Sequence, residues 1–302
     1  MTSTATVAQV AAQFALGRFE THVSDSRTIV NGTRKPLIVY ISGPQGSGKT
    51  FSSEGVKQIL HETRPELKSI VVSIDDFYLT HSDQQTLAKR YPENAMLQGR
   101  GLPGTHDMQL LKTFMSRLYD NTGLTRIPAY DKSRFAGEGD RIESSKEVQL
   151  PVDIVIMEGW FLGFESLSQE KLTCMCNKAS NQIGNVLSVH PLDHYTVINA
   201  YLKSYADLLW DDAKQFSVGV VIAADVENVY AWRQEQETAL IAKTGHGMSQ
   251  EQVRAFILRY MPCYELYYPT LKTKGKLGNS GTFVVSINKQ RAVINVEQRQ
   301  TD

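Results

Sequence analysis

Cysteine is scarce in this 302-residue chain: Cys174, Cys176 and Cys263 are the whole complement. Three thiols cannot build a disulfide framework, and Cys174-Met175-Cys176 is too tightly spaced for a C-x-x-C pair. No matching Cys/His cluster completes a zinc site, so free thiols in a reducing compartment are expected. No apolar run approaches the roughly 18 residues of a membrane helix. The N-terminus lacks a charged segment followed by an apolar one, so no secretory signal is expected. These absences point to the cytoplasm, with the nucleus left open. Charge of one sign is also missing. Lys+Arg and Asp+Glu stand at 32 each, which leaves no basic field to hold a polyanion, and nucleic acid is not an expected partner. Internal repeats, low-complexity stretches and clear linkers are absent as well. Nothing in the sequence sets an oligomeric state.

What is present is ordinary globular composition, 41% hydrophobic and 21% charged, with ample material for a core. Apolar residues at helical spacing over 5–22 precede a buried strand at 36–41. A helical pattern covers 50–60, and a second strand, 69–74, ends on Asp75-Asp76. Residues 81–107 are polar and irregular, 108–119 helical, and 121–147 again loop-like. A third strand, 152–157, runs into Glu158-Gly159. Residues 165–195 have little periodicity and read as an insertion. A helix at 195–210 leads to a fourth strand at 218–223. Helices at 225–243 and 249–260 flank the corner Thr244-Gly245-His246-Gly247, and a fifth strand lies at 283–287. Strands alternating with helices predict an α/β fold, a predominantly parallel five-stranded sheet flanked by helices. Residues 1–302 read as one domain, with 228–262 as a helical, lid-like segment.

The strongest local signal is Gly43-Pro44-Gln45-Gly46-Ser47-Gly48-Lys49-Thr50, a complete G-x-x-x-x-G-K-[ST] pattern between a strand and a helix. Glycines let the backbone curl so that successive N–H groups point at phosphate oxygens, and the following helix adds its positive end. Lys49 supplies a charge for the β- and γ-phosphates, and Thr50 a hydroxyl for Mg²⁺. ATP and Mg²⁺ are the expected cofactors. No Asn-Lys-x-Asp guanine reader is present, because Asn177-Lys178 and Asn288-Lys289 both lack the Asp.

In open α/β sheets, ligands bind beyond the carboxyl ends of the strands. Two strands end there in acids. Phosphoryl transfer needs a group to take the acceptor hydroxyl's proton and acids for the metal shell. Asp75 is assigned the first role and a share in the second, and Glu158 is assigned to Mg²⁺. Asp76 reads equally well as a turn or helix-cap carboxylate.

The P-loop together with Ser73–Thr80 and Glu158-Gly159 resembles the phosphoribulokinase, uridine kinase and pantothenate kinase superfamily. Arg100–Asp107, Ile127–Ser133 and Glu158–Phe164 are similar to the D-glycerate 3-kinase family and its fungal relatives. The resemblance covers most of 35–290 and is weakest over 165–195. It implies a P-loop kinase with Asp75 as base, Glu158 serving the metal, and an acceptor pocket from Tyr78, Arg100–Asp107 and Tyr130–Arg134.

The residues in those loops suit that chemistry. Arg100, His106, Asp107, Tyr130, Lys132 and Arg134 sit in polar segments of the kind that carry function at a sheet's mouth. A small carboxylated acceptor would favour an Arg fork, from Arg100 or Arg134. His106 could equally be a structural hydrogen bonder, and Tyr78 and Tyr130 could line the pocket or simply pack. Water must be excluded during transfer, and Arg233 in the lid-like segment is the cation expected to reach the phosphates. A D-glycerate-type acceptor, another small acceptor (a nucleoside, a pantothenate-like acid, a sugar acid) and an acceptor-free P-loop switch all stay open.

Overall fold

A computed structural model of the chain describes residues 5–180, 182, 184–244 and 247–299. Gly245 and His246, half of the expected lid corner, lie outside the described residues.

The N-terminal helix α1 (Val7–Ser24) opens on a capping box, Thr6 accepting from the Gln9 N–H while the Gln9 side chain accepts from Thr6 N–H. A short hairpin, β1 (Ile29–Val30) and β2 (Thr33–Arg34), leads into β3 (Leu37–Ser42), then α2 (Lys49–Thr63) and β4 (Ser69–Ser73). Next come α3 (His81–Arg90), α4 (Met108–Asp120), the antiparallel hairpin β5 (Leu124–Asp131) and β6 (Asp140–Gln149), and β7 (Ile154–Gly159). The second half holds α5 (Gln169–Ser180), α6 (Leu192–Leu208), β8 (Phe216–Ala223), α7 (Asn228–Thr244), α8 (Gln250–Leu258), α9 (Met261–Thr273), β9 (Thr282–Ile287) and β10 (Val293–Arg299).

The main sheet runs β10-β9-β8-β3-β7-β4. The five predicted strands make its parallel set, and β10 adds a sixth, antiparallel, at the edge. Alternation along β3 explains the layers. Leu37, Val39 and Ile41 face α1 and α2, while Ile38 and Tyr40 face the core under α4, α6 and α9. Both faces are covered, so β3, β7 and most of β8 read as continuous apolar runs. Each fully buried aliphatic side chain there contributes about 1.5–3 kcal/mol.

Several elements escaped sequence reading for physical reasons. The β5–β6 hairpin stands apart from the main sheet and is mostly half-buried or exposed, so its strands carry charge more than an apolar alternation. Strand β10 is an edge strand with an almost wholly exposed pattern. Helix α3 buries only Gln84 fully, leaving its Thr80 cap as the one local signal. Within the expected insertion, α5 buries Leu172, Cys176 and Ala179, a narrow stripe at helical spacing.

Candidate active site

The carboxyl end of β3 delivers Gly43–Gly48 onto α2. Gly48 caps the helix at φ 90° with no side-chain hydrogen bond, so the leading N–H groups of α2 have no side-chain partner. The loop is packed tightly from above. A Cβ on Gly46, whose φ is 80°, would fall 2.4 Å from the Trp232 Cβ on α7. A Cβ on Gly43 would meet Ile222 and the Ser47 hydroxyl. The Ser47 hydroxyl and the Gln45 amide oxygen are buried with no hydrogen-bond partner. Uncapped N–H groups and a buried, unpaired hydroxyl suit a phosphate chain, whose oxygens would satisfy them.

Lys49 Nζ donates to the Pro44 carbonyl at 3.2 Å. Burial lowers its pKa, while Glu158 and Asp75 act in the opposite direction. One ammonium therefore feels the carboxylates at two different strand ends. The Thr50 hydroxyl donates to Glu158 Oε1 at 3.0 Å. Glu158 is 4% exposed at the end of β7, beside Ile41 of β3 in register. No group of three or more His, Cys, Asp or Glu able to hold a metal occurs among the described residues. A hydroxyl and one or two carboxylates, completed by phosphate oxygens and water, is how Mg²⁺ is usually held, and the joined Thr50 and Glu158 fit that pattern.

Asp75 sits in a 3₁₀ turn, Ile74–Phe77, directly after β4. Its Oδ1 accepts from the Tyr78 hydroxyl at 2.8 Å and its Oδ2 from Lys132 Nζ at 2.6 Å. Burial pushes its pKa up, but the charge and hydrogen bond of Lys132, joined by the Tyr78 hydroxyl, work the other way, and the carboxyl lies below the ordinary value. Asp76 caps the same turn, accepting from the Ser73 N–H.

Rings wall this side. Tyr78 stacks on His106 at 4.5 Å and meets Tyr130 edge-on at 5.3 Å. His106 is buried, and burial pushes its pKa down to about 4, so the imidazole is neutral. Asp107 caps α4 by accepting from Leu110 N–H and pairs with Arg141 at 3.1 Å. Arg141 also donates to the Tyr78 carbonyl at 2.9 Å. It ties β6 to the turn that carries Asp75, a task sequence reading missed because β6 itself was not recognised.

The arginines considered for a carboxylate fork are engaged elsewhere. Arg100 donates to the main-chain carbonyls of Gly137 and Glu138 and lies over the Tyr130 ring. Arg134 is half exposed, 3.8 Å from Asp131 and 3.9 Å from Asp140. Lys132 is the cation that meets Asp75. In α7, Arg233 pairs with the buried Glu237 at 2.5 Å and lies over the Phe256 ring. Arg291 is a second residue missed in the sequence. It donates to the Gly46 carbonyl at 2.8 Å and to Glu235 at 2.9 Å, and its guanidinium lies over Trp232. It links the phosphate loop to α7.

This arrangement was compared with known proteins. No family model matches the chain. A Saccharomyces cerevisiae protein named "Probable ATP-dependent kinase TDA10" is 42% identical over 275 residues, covering 89% of this chain and 90% of that protein. The chain belongs to the D-glycerate 3-kinase-like family of P-loop kinases. The chloroplastic D-glycerate 3-kinase of Arabidopsis thaliana is 36% identical over 259 residues, 84% of this chain and 52% of that protein. The chain thus spans about half the length of that plant relative. The solved structure of D-glycerate 3-kinase from Cryptococcus neoformans superposes with a TM-score of 0.88 at 36% identity, covering 98% of this chain and all of that one. The α/β fold with a mainly parallel sheet is the family's. Among the described residues, no helix is long and apolar enough to cross a membrane.

Proposed function

We propose that this kinase transfers the γ-phosphoryl group of ATP to a hydroxyl of a small carboxylated acceptor, D-glycerate being the first candidate. The observation that carries the reading is the Thr50 hydroxyl donating to Glu158 Oε1 at 3.0 Å beside the phosphate loop, with Asp75 just past the end of the neighbouring β4. The names of the Arabidopsis and Cryptococcus relatives supply the candidate acceptor.

In this reading Gly43–Thr50 binds the triphosphate. Asp75 accepts the proton of the acceptor hydroxyl, whose oxygen bonds to the γ-phosphorus as the bond to the β–γ bridging oxygen breaks, releasing ADP. Lys49 stabilises the charge that develops on the transferring group. Thr50, Glu158 and Asp75 would hold Mg²⁺, which when bound neutralises charge on the phosphate oxygens. Lys132 keeps Asp75 ionised and has further N–H donors for an acceptor carboxylate. Tyr78, Tyr130, His106 and Asp107 shape the acceptor side, with Arg100 and Arg134 at its hairpin wall. Helices α7 and α8 act as the lid, and Arg233 leaves Glu237 for the phosphates on closure.

The test is ADP release with Mg²⁺–ATP and a panel of acceptors, read over the background without acceptor. D-glycerate should stimulate release. Stimulation by a nucleoside, pantothenate-like acid or sugar acid instead would replace D-glycerate but keep the acceptor site. No stimulation by any of them would favour a P-loop protein without a small acceptor.

A further inference from the structure

The buried His106 ring is hydrogen-bonded on one side and unpaired on the other. Its main chain bridges to Tyr78, with Leu79 N–H donating to the Thr105 carbonyl and Asp107 N–H to the Phe77 carbonyl. Its ring lies against Tyr78, whose hydroxyl donates to Asp75. Nδ1 is 2.9 Å from the Tyr205 hydroxyl, whereas Nε2 is buried without a hydrogen-bond partner.

Proton accounting decides which nitrogen carries the hydrogen. The Gly104 N–H already donates to the Tyr205 oxygen at 3.0 Å. If Nδ1 also donated there, the Tyr205 proton would have no acceptor and Nε2 would keep an unpaired lone pair. If Tyr205 donates to Nδ1, every group in the chain Gly104–Tyr205–His106 is paired except one, the Nε2–H. The second arrangement leaves one buried group unsatisfied rather than two, so it is favoured. A buried donor without a partner, one ring removed from the carboxylate that meets the acceptor hydroxyl, lacks an oxygen.

We propose that the Nε2–H of His106 donates a hydrogen bond to an oxygen of the acceptor other than the hydroxyl that is phosphorylated, and that Tyr205 is the positioning residue that fixes this tautomer. The inference rests on the acceptor-kinase reading above and deepens it. The acceptor carries a second lone-pair oxygen, from a carboxylate or a neighbouring hydroxyl. A neutral donor can serve that oxygen beside Lys132 without setting two cations against each other.

The experiment uses the full chain with the acceptor that the panel identifies. His106→Phe keeps the ring against Tyr78 and removes the donor. It should raise the acceptor KM by about tenfold to a hundredfold while the KM for ATP stays the same. His106→Gln, whose amide N–H can stand near the Nε2 position, should recover most of that loss. Tyr205→Phe should raise the acceptor KM less and give mixed tautomers. In wild type, imidazole ¹⁵N shifts should report the neutral Nε2–H form, and the Nε2 proton should shift on adding acceptor. An unchanged acceptor KM in His106→Phe, equal losses in the Phe and Gln variants, or a wild-type Nδ1–H form would overturn the proposal. Should His106→Phe fail to fold, the Gln and Tyr205 variants and the ¹⁵N shifts decide. Turnover of another acceptor but not D-glycerate removes only the choice of acceptor, and the variants are then read with that one. If no acceptor is turned over, the kinase reading falls and this inference falls with it.

Discussion

Lys132 Nζ donates to Asp75 Oδ2 over 2.6 Å, although the two residues lie in different turns, the one after β5 and the one after β4. Burial alone would raise the Asp75 pKa, and its partners, Lys132 foremost with the Tyr78 hydroxyl, bring it below the ordinary value. A carboxyl held below its ordinary 3.8 stays ionised, and able to take a proton, across the whole neutral and mildly acidic range.

Lys132→Met should therefore expose the effect of burial. The Asp75 pKa rises, and the acidic limb of the kcat/KM profile moves to higher pH than in the wild type. The acceptor KM rises in the same variant if Lys132 also meets the acceptor. Superimposable pH profiles would remove Lys132 from control of Asp75.

Asp75→Asn keeps the shape and one acceptor oxygen, loses the acceptor for either Tyr78 or Lys132, and cannot accept the proton. Turnover should drop by at least about a hundredfold, while ATP binding, measured by titration calorimetry, survives. Lys49→Ala should behave differently, weakening ATP binding and turnover together. Near-normal turnover in Asp75→Asn would deny it the base role.

Gly46→Ala tests the contact between the phosphate loop and α7. The residue sits at φ 80°, and its new Cβ would lie 2.4 Å from the Trp232 Cβ. Strain of about 1–3 kcal/mol is expected from the backbone alone. The melting temperature should fall and ATP affinity should weaken, because Arg291 ties the Gly46 carbonyl to the same helix. A variant with wild-type melting and affinity would show that the loop and α7 do not meet so closely.

Asp76 gives a prediction for stability against pH. Burial, with the Asp75 charge adding to it, raises its pKa from 3.8 to about 6, and the Ser73 N–H only partly offsets this. The folded state thus holds a proton that the unfolded chain releases, and stability falls as pH rises between those values. Asp76→Asn keeps an acceptor for Ser73 and removes the charge. Without Mg²⁺ or ATP, it should melt higher than wild type at roughly pH 7.5, and the gain should fade below about pH 4. An equal difference at both pH values would mean that the charge is not the cause.

Some features were legible because their signals are contiguous. Gly43–Thr50 needs only local chain chemistry, and the buried strands announce themselves because a strand covered on both faces must be apolar throughout. Asp75 and Glu158 follow from the rule that a parallel sheet gathers its strand ends on one side. Other features depend on segments far apart in the chain. The pairing of Lys132 with Asp75 needs the β5–β6 hairpin, whose half-buried, charged strands carry too short an apolar pattern to read. Arg291 becomes part of the phosphate loop's surroundings only because β9 and β10 return the chain to Gly46.

The amino-acid sequence by itself determined the donor half of this protein, since a phosphate cradle is built from consecutive backbone N–H groups and two adjacent side chains. It also determined the layered α/β core, through apolar runs long enough to be buried. Tertiary structure decided the acceptor half. There the charge state of Asp75, the engagement of Arg100 with hairpin carbonyls, and the partnering of His106 by Tyr205, 99 positions away, are set by burial and by contacts between distant segments. Neither residue type nor spacing encodes those.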